Sequence, residues 1–428
     1  MLPPNHALRS ELNHEVHARP SDALKAPLRI SYLAMLSDSG AREAEWRHLL
    51  DLVRRFGGHA PERPSTHFSA DLGGFSIRWE RHTEFTRYTF ITPGSADAAF
   101  DPCALQAVPA DWIAAISGEI MVASHGALLA YEERLADPED VAARWFDGNV
   151  LIGSRIGDGA AVALTDFRVR ADGFSRFVLF DRHLTPRQAG RSVQRMVEID
   201  TYRMMALLAL PVARELSPFL SLCERELSQV TTVLESANDE DEATLLDRLT
   251  RLEAHIESRE AQNHYRFGAA AAYYDLVRQR IGELRELRIA GLQTFGEFSE
   301  RRLAPAMNTC RAVAGRQESL SQRVARANQL LATRVDLTRE RQSQALLESM
   351  NRRVKAQLQL QQTVEGLSIA AVSYYVIGLL SYALKGVKAA GADINPDFIL
   401  ACSIPVVAIL AALSIAHIRE SIIRKARG

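Results

Sequence analysis

The chain has 428 residues, 47% of them hydrophobic and 24% charged, with a formal net charge of −1. That length suits two or three domains, and the balanced charge excludes a whole-molecule field that would draw the chain to nucleic acid. The four cysteines, Cys103, Cys223, Cys310 and Cys402, are too scattered for a disulfide framework or a thiolate metal site, which fits a reducing compartment.

In chain order, residues 1–24 form an N-terminal arm without the basic and apolar regions of a signal peptide, so export of the large N-terminal part is not expected. Residues 25–182 then alternate strand-like and helical patterns. Pro27–Leu36 has the apolar run of a largely buried strand, and Ala41–Phe56 has a helical pattern ending at Gly57-Gly58. Phe75, Ile77 and Trp79 share one face of a period-2 segment, and a turn near His82-Thr83 leads to a strand on which Thr86, Tyr88 and Phe90 align. Further strands are expected within Glu119–Glu132, Val150–Ile152, Ala160–Val169 and Phe174–Phe180. The pattern predicts a mixed α/β sheet domain.

From residue 183 the pattern turns helical. Thr185 suits an N-cap, Pro186 the first helical position, and Gln188 completes a capping box; Pro211 ends or kinks that helix. A second helix is expected to about Ser236, and the acidic run Asn238–Glu242 reads as a solvated turn before the next one. An apolar stripe then runs from Leu249 through Ile256, Phe267 and Tyr274 to Leu284. Pro305 marks a turn, after which Val313, Leu320, Val324, Leu331, Val335, Leu346, Met350 and Val354 make a second stripe. The absence of Gly and Pro between Arg316 and Glu365 predicts one helix running into the apolar segment that follows, with the preceding helix as its antiparallel partner.

Leu367–Leu384 and Phe398–Ile418 are long uncharged segments of 18 and 21 residues. As helices they reach about 27 and 32 Å, close to a hydrocarbon core of roughly 30 Å. Seven basic residues flank the pair (Arg352, Arg353, Lys355, Arg419, Arg424, Lys425 and Arg427), against Lys385 and Lys388 in the link. The positive-inside rule then puts both termini in the cytoplasm.

The strings Asn13-His14-Glu15-Val16-His17-Ala18-Arg19-Pro20, Trp79–Phe85, Trp145–Arg155, Glu198–Met205 and Gln361–Ser368 resemble the bacterial membrane-anchored proteins classed as domain of unknown function 3422. The resemblance covers nearly the whole chain and implies a bacterial inner-membrane location but no activity. The layout is also similar to CorA-type cation channels, homopentamers in which a long helix enters the first span. Their Gly-Met-Asn hallmark is absent, since the corresponding region reads Tyr382-Ala383-Leu384-Lys385-Gly386. In a symmetric oligomer Lys385 and Lys388 would form positive rings that disfavour cations, partly offset by Asp393 and Asp397.

Two sets of residues draw functional readings. Asn13, His14, Glu15, His17 and Arg19 are ligand-binding candidates, with structural docking of the arm as the plainer reading. A metal site is disfavoured because the histidines stand three apart rather than four and Arg19 repels a cation. Gln357, Gln361 and Ser368 fall on one helical face, as either a polar pore entry or a seam setting helix register. Glu80 and Glu84 are crowded by Arg78, Arg81 and Arg87 and read as ordinary surface pairing. Gly153, Gly157 and Gly159 suit a hairpin turn rather than a phosphate loop, and Ser124-His125-Gly126 lacks a nucleophile-elbow context.

The expected fold class is therefore α+β. It comprises the sheet domain of residues 25–182, a long antiparallel coiled-coil stalk over 183–366, a two-helix membrane hairpin over 367–418 and a basic tail over 419–428. No catalytic residue, metal or cofactor is expected, and neither is an enzyme. The expected partners are a lipid bilayer and further copies of the chain. The function is read as a homo-oligomeric ion channel or transporter, or else as a membrane-tethered ligand sensor or scaffold.

Overall fold

The computed structural model describes residues 5–10, 13, 22–37, 39–59, 65–132, 136–236, 239–389 and 395–426. Among the described residues, nine strands form one sheet: β1 Leu28–Leu36, β2 His67–Asp71, β3 Ser76–Arg81, β4 Phe85–Pro93, β5 Glu119–Ala130, β6 Ile152–Ile156, β7 Ala161–Thr165, β8 Ser175–Asp181 and β9 Leu287–Arg288. Their order is β2-β3-β4-β1-β5-β8-β7-β6-β9, and among the paired strands only β5 and β8 run parallel.

Both faces of the central strands are covered, which is why β1, β5 and β7 read as nearly continuous apolar runs. One face carries Leu33, Met35, Ile77, Trp79, Tyr88 and Phe90 in a core with Trp46, Leu49 and Leu52 of α1 (Arg42–Arg55) and Trp112 of α2 (Ala110–Ala114). Farther along, Ala127, Leu129, Val162, Leu164, Val178 and Phe180 pack with Val141 and Trp145 of α3 (Pro138–Trp145). The opposite face meets α4 (Pro186–Leu207), where Tyr32 Oη lies 2.7 Å from Thr201 Oγ1.

α4 starts as its sequence dictates. Thr185 accepts from the Gln188 amide, and the Gln188 side chain accepts from the Thr185 amide at 2.8 Å. The helix breaks at Leu208, and α5 follows from Ala209 to Ser236. Pro211 explains the break, because it has no N–H for the Leu207 carbonyl.

α6 spans Asp239–Leu284, so Asp239–Glu242 lie inside the helix rather than in the solvated turn expected there. Glu242 is buried and ion-paired with Arg334, which holds this first turn helical. After α7 (Phe295–Phe298) comes a π-helical turn, Ser299–Leu303, and then α8, Ala304–Ala389. Pro305 therefore sits near the start of α8 and makes no turn. The helical run is continuous from Phe295 to Lys388, and the π-helical turn Ser299–Leu303 just before Pro305 accommodates its ring and its missing N–H. α8 continues past Leu384, so Lys385 and Lys388 lie on the helix and not in a link. α9 runs from Pro396 to Ala426, so the tail expected from residue 419 is helical as far as Ala426.

Two compact units divide the chain, residues 1–236 with 245–328, and residues 237–244 with 329–428. The sheet and the helices packed on it share the first unit. Within it Asn328 of α8 donates to Glu253 of α6 at 2.6 Å, which sets the two helices antiparallel.

Candidate functional site

Glu80 and Arg87 stand opposite each other in the register of β3 with β4, on the face turned to α4. Arg87 donates through Nε to Glu80 and through Nη1 to Glu198 Oε1 of α4, the latter at 3.0 Å. Arg78 donates to the other Glu80 oxygen at 3.0 Å. Glu198 also accepts from Gln194 at 2.7 Å and from Arg280 of α6. The outcome is a buried chain of alternating charge, Arg78–Glu80–Arg87–Glu198–Arg280, joining the sheet to two helices.

This corrects the reading of Glu80 as a surface pair, because Glu80 is only 2% exposed. Glu84 is held apart from it by Arg266 and by the Tyr273 hydroxyl, which donates at 2.9 Å. Burial by itself would raise the Glu80 carboxyl, but Arg87 and then Arg78 overcome it and hold the group down to about 2. Arg87 and Arg280 likewise lower Glu198 against its burial. Carboxylates so firmly ionised are poor proton donors or acceptors near neutral pH, and the cluster serves as a clamp.

The serines and histidine of β1 and β5 are similarly occupied. His125 Nδ1 lies 2.9 Å from Ser31 Oγ, which accepts from the Leu105 amide, and the imidazole stacks on Phe174 at 4.0 Å. Burial lowers the His125 pKa to about 4. Ser124 and Ser175 both donate to Asp200 of α4, at 3.2 and 3.1 Å, and Asp200 in turn pairs with Arg203. Ser31 and Ser124 are both buried. Gly157, Asp158 and Gly159 make the β6–β7 turn, all with positive φ, as expected of the two later glycines, whereas Gly153 lies within β6, paired with Leu164, and not in the turn.

Of the arm residues, Asn13 is exposed, whereas His14, Glu15, His17 and Arg19 lie outside the described residues. The end of the arm docks on α4: Leu24 N donates to Pro186 O at 2.9 Å, and Asp22 lies 3.7 Å from Arg78. Gly190 is required at this crossing, since a Cβ there would meet Asp22 O at 1.8 Å. Among the described residues no group of three His, Cys, Asp or Glu side chains could hold a metal ion.

The second set of candidates lies on α8. Gln357, Gln361 and Ser368 are all exposed and, at 100° per residue, share an arc of about 80° with Met350, Val354 and Val364. Gln361 donates to Glu365 at 3.3 Å, and Ser368 donates to the Val364 carbonyl at 2.8 Å. The apolar stripe changes character along the helix. Val313, Leu320, Val324, Leu331 and Val335 are buried, but Leu346, Met350 and Val354 are 63%, 55% and 53% exposed. Lys385 and Lys388 are exposed too, with Lys385 Nζ 6.0 Å from the centre of the Tyr382 ring; Asp393 lies outside the described residues and Asp397 is exposed.

Among the described residues, three helical stretches are long and apolar enough to cross a membrane: Pro186–Leu234, Phe295–Lys388 and Asp397–Ile415. A family described as protein of unknown function (DUF3422) matches residues 4–422. The chain belongs to the DUF3422 family. No curated protein and no solved structure matches it, so nothing in these comparisons adds to the similarity with CorA-type channels. What sequence reasoning missed in this DUF3422 chain is the reach of Arg280 and Glu198 to the β3–β4 hairpin.

Proposed function

We propose that this DUF3422 protein is a homo-oligomeric scaffold of the bacterial inner membrane, anchored by two spans and holding its α/β body on the cytoplasmic side. The observation that carries this reading is the uncovered apolar stripe of α8. Leu346, Met350, Val354 and Val364 are exposed along a helix that continues without interruption into an apolar segment. A helix of this length needs its apolar face covered, and a second copy of the same helix offers a matching seam. Of the three stretches long enough to span, Pro186–Leu234 is already used by the fold, since α4 lies against the sheet. The other two have 6% and 0% of their most apolar windows buried, with mean hydropathies of 1.7 and 2.6. The basic residues on the far sides of the hairpin favour cytoplasmic termini.

Cross-linking tests the seam. In native membranes, oxidation of a Met350→Cys variant is expected to give a disulfide-linked dimer, while Arg352→Cys, on the opposite side of α8, gives little. Equal yields at both positions, or none at either, would overturn the self-association.

A second reading, ion conduction, is favoured by the polar face of Gln357, Gln361 and Ser368, which in a ring of helices would line an entry. Flux assays in liposomes decide it. A flux that disappears on Gln361→Leu supports conduction, and no flux under any imposed gradient leaves the scaffold.

A further inference from the structure

A cleft of 460 Å³ opens in the first unit where the β3–β4 turn meets α1, α4 and α6. That volume is within the range of about 300–1,000 Å³ typical of small-molecule sites. One wall is aromatic. The rings of Phe85, Tyr202 and Tyr273 form a triangle with centroids 5.9, 6.3 and 6.5 Å apart, and the His82 imidazole stacks on Phe85 at 4.5 Å. Phe85 is buried behind His82 and Tyr273, which are half-buried. The Tyr273 hydroxyl is taken up by Glu84, so this residue offers the cleft its ring.

An aromatic wall alone would mean only an unfilled corner of the core. Two polar groups add independent observations. Arg42 lines the cleft from the first position of α1, where the helix dipole opposes a cation, and among the described residues it makes no ion pair or hydrogen bond. Tyr202 also lines it and is 6% exposed. Its hydroxyl has no hydrogen-bond partner among the described residues, yet it keeps accessible surface that a ligand can reach. Native folds rarely leave a hydrogen bond unmade at so buried a side chain. The charge is one-sided as well. Among the described residues no Asp or Glu lines the cleft, and of its two arginines Arg81 is paired with Glu45, so one cation is left unbalanced.

We infer that this cleft binds a small aromatic carboxylate that pairs with Arg42, takes a hydrogen bond from the Tyr202 hydroxyl and lays its ring against His82 and Tyr273. A single unbalanced cation suits one negative charge rather than a polyphosphate. The site lies within the first unit, so it holds whether α8 and α9 anchor the chain or line a pore.

The probe is 2-naphthoate, with 2-naphthalenemethanol as its uncharged counterpart and cyclohexanecarboxylate as an anion without an aromatic ring. Isothermal titration of detergent-purified full-length protein, against matched empty micelles, is expected to show one saturable 2-naphthoate site. Both control compounds should bind more weakly by about tenfold or more. Arg42→Gln removes an exposed cation at a helix end and spares the fold. It is expected to weaken half-saturation about ten- to a hundredfold, the effect of one charged hydrogen bond. Tyr202→Phe keeps the ring and is expected to weaken it about three- to tenfold. Leu276→Trp fills the cleft and should abolish saturable binding. If that variant perturbs the fold, Thr66→Trp closes the cleft from the strand side with the same expected result. Lack of a saturable 2-naphthoate site, or its persistence in a folded plugged variant, would overturn the site. Equal affinity in Arg42→Gln or for the uncharged alcohol would overturn the anionic ligand, and equal affinity for cyclohexanecarboxylate its aromatic ring. Unchanged binding in Tyr202→Phe would overturn the hydroxyl anchor.

Discussion

Arg87 lies between two carboxylates that come from different elements, and its removal strands both. Arg87→Met should cost about 3–5 kcal/mol, because Glu80 and Glu198 would each keep a buried charge short of a partner. Urea denaturation measures it, and a loss under 1 kcal/mol would show that water reaches the cluster. Acid should act in two steps. His125 falls from 6.5 to about 4 in the folded chain, so the unfolded state takes up the proton first. Stability is then full above pH 6.5 and declines as pH falls to 4, by about 3 kcal/mol. Glu80 falls from 4.5 to about 2, so its contribution is present above pH 4.5 and is lost as pH drops towards 2. His125→Gln should flatten the first decline and leave the second, as read from denaturation midpoints across pH. At this scale the capping box of Thr185 and Gln188 was legible because its partners stand three residues apart. The Glu198 contacts with Arg87 and Arg280 were not, since separations of 111 and 82 residues leave no local trace.

The helices were the clearest elements in the sequence, and α8 shows both the strength and the limit of a periodic pattern. Its apolar spacing predicted one helix from the stalk into the first span, and one helix is found. The same spacing did not separate Val324, buried in this chain, from Met350, left exposed. Periodicity reports that a face wants cover, not which molecule supplies it. Pro305 was misread as a turn because its effect depends on helical position, and the π-turn before it is a tertiary accommodation. The short strands β2 and β9 were also missed, as each is defined by the neighbour it pairs with. Two helix-interior glycines, Gly268 of α6 and Gly315 of α8, carry an element-scale prediction. Gly268→Ala and Gly315→Ala remove a helix-interior penalty of up to about 1 kcal/mol each and introduce no clash. Both should raise the thermal midpoint, and a decrease would show that these positions tolerate no added methyl.

For the whole molecule, the decisive question is where Phe398–Ile415 resides. Cys402 lies in this segment and is exposed within the single chain. If the segment crosses lipid, a membrane-impermeant maleimide should leave Cys402 unlabelled in sealed vesicles, inside-out as well as right-side-out, and label it once detergent is added. Rapid labelling in intact vesicles would remove the two-span anchor from the reading. By itself the sequence determined the α/β-then-helix order, the capped start of α4 and the two apolar stretches near the carboxyl end, because these depend on local propensity and on the length of uncharged runs. Only the tertiary structure decided that Glu80 and Glu198 share Arg87 in a buried clamp, that Gly190 lies beneath Asp22, and that Ser124 and Ser175 meet Asp200. Each of these depends on residues brought together across long stretches of chain, and the net result of burial and pairing appears only once those partners are in place.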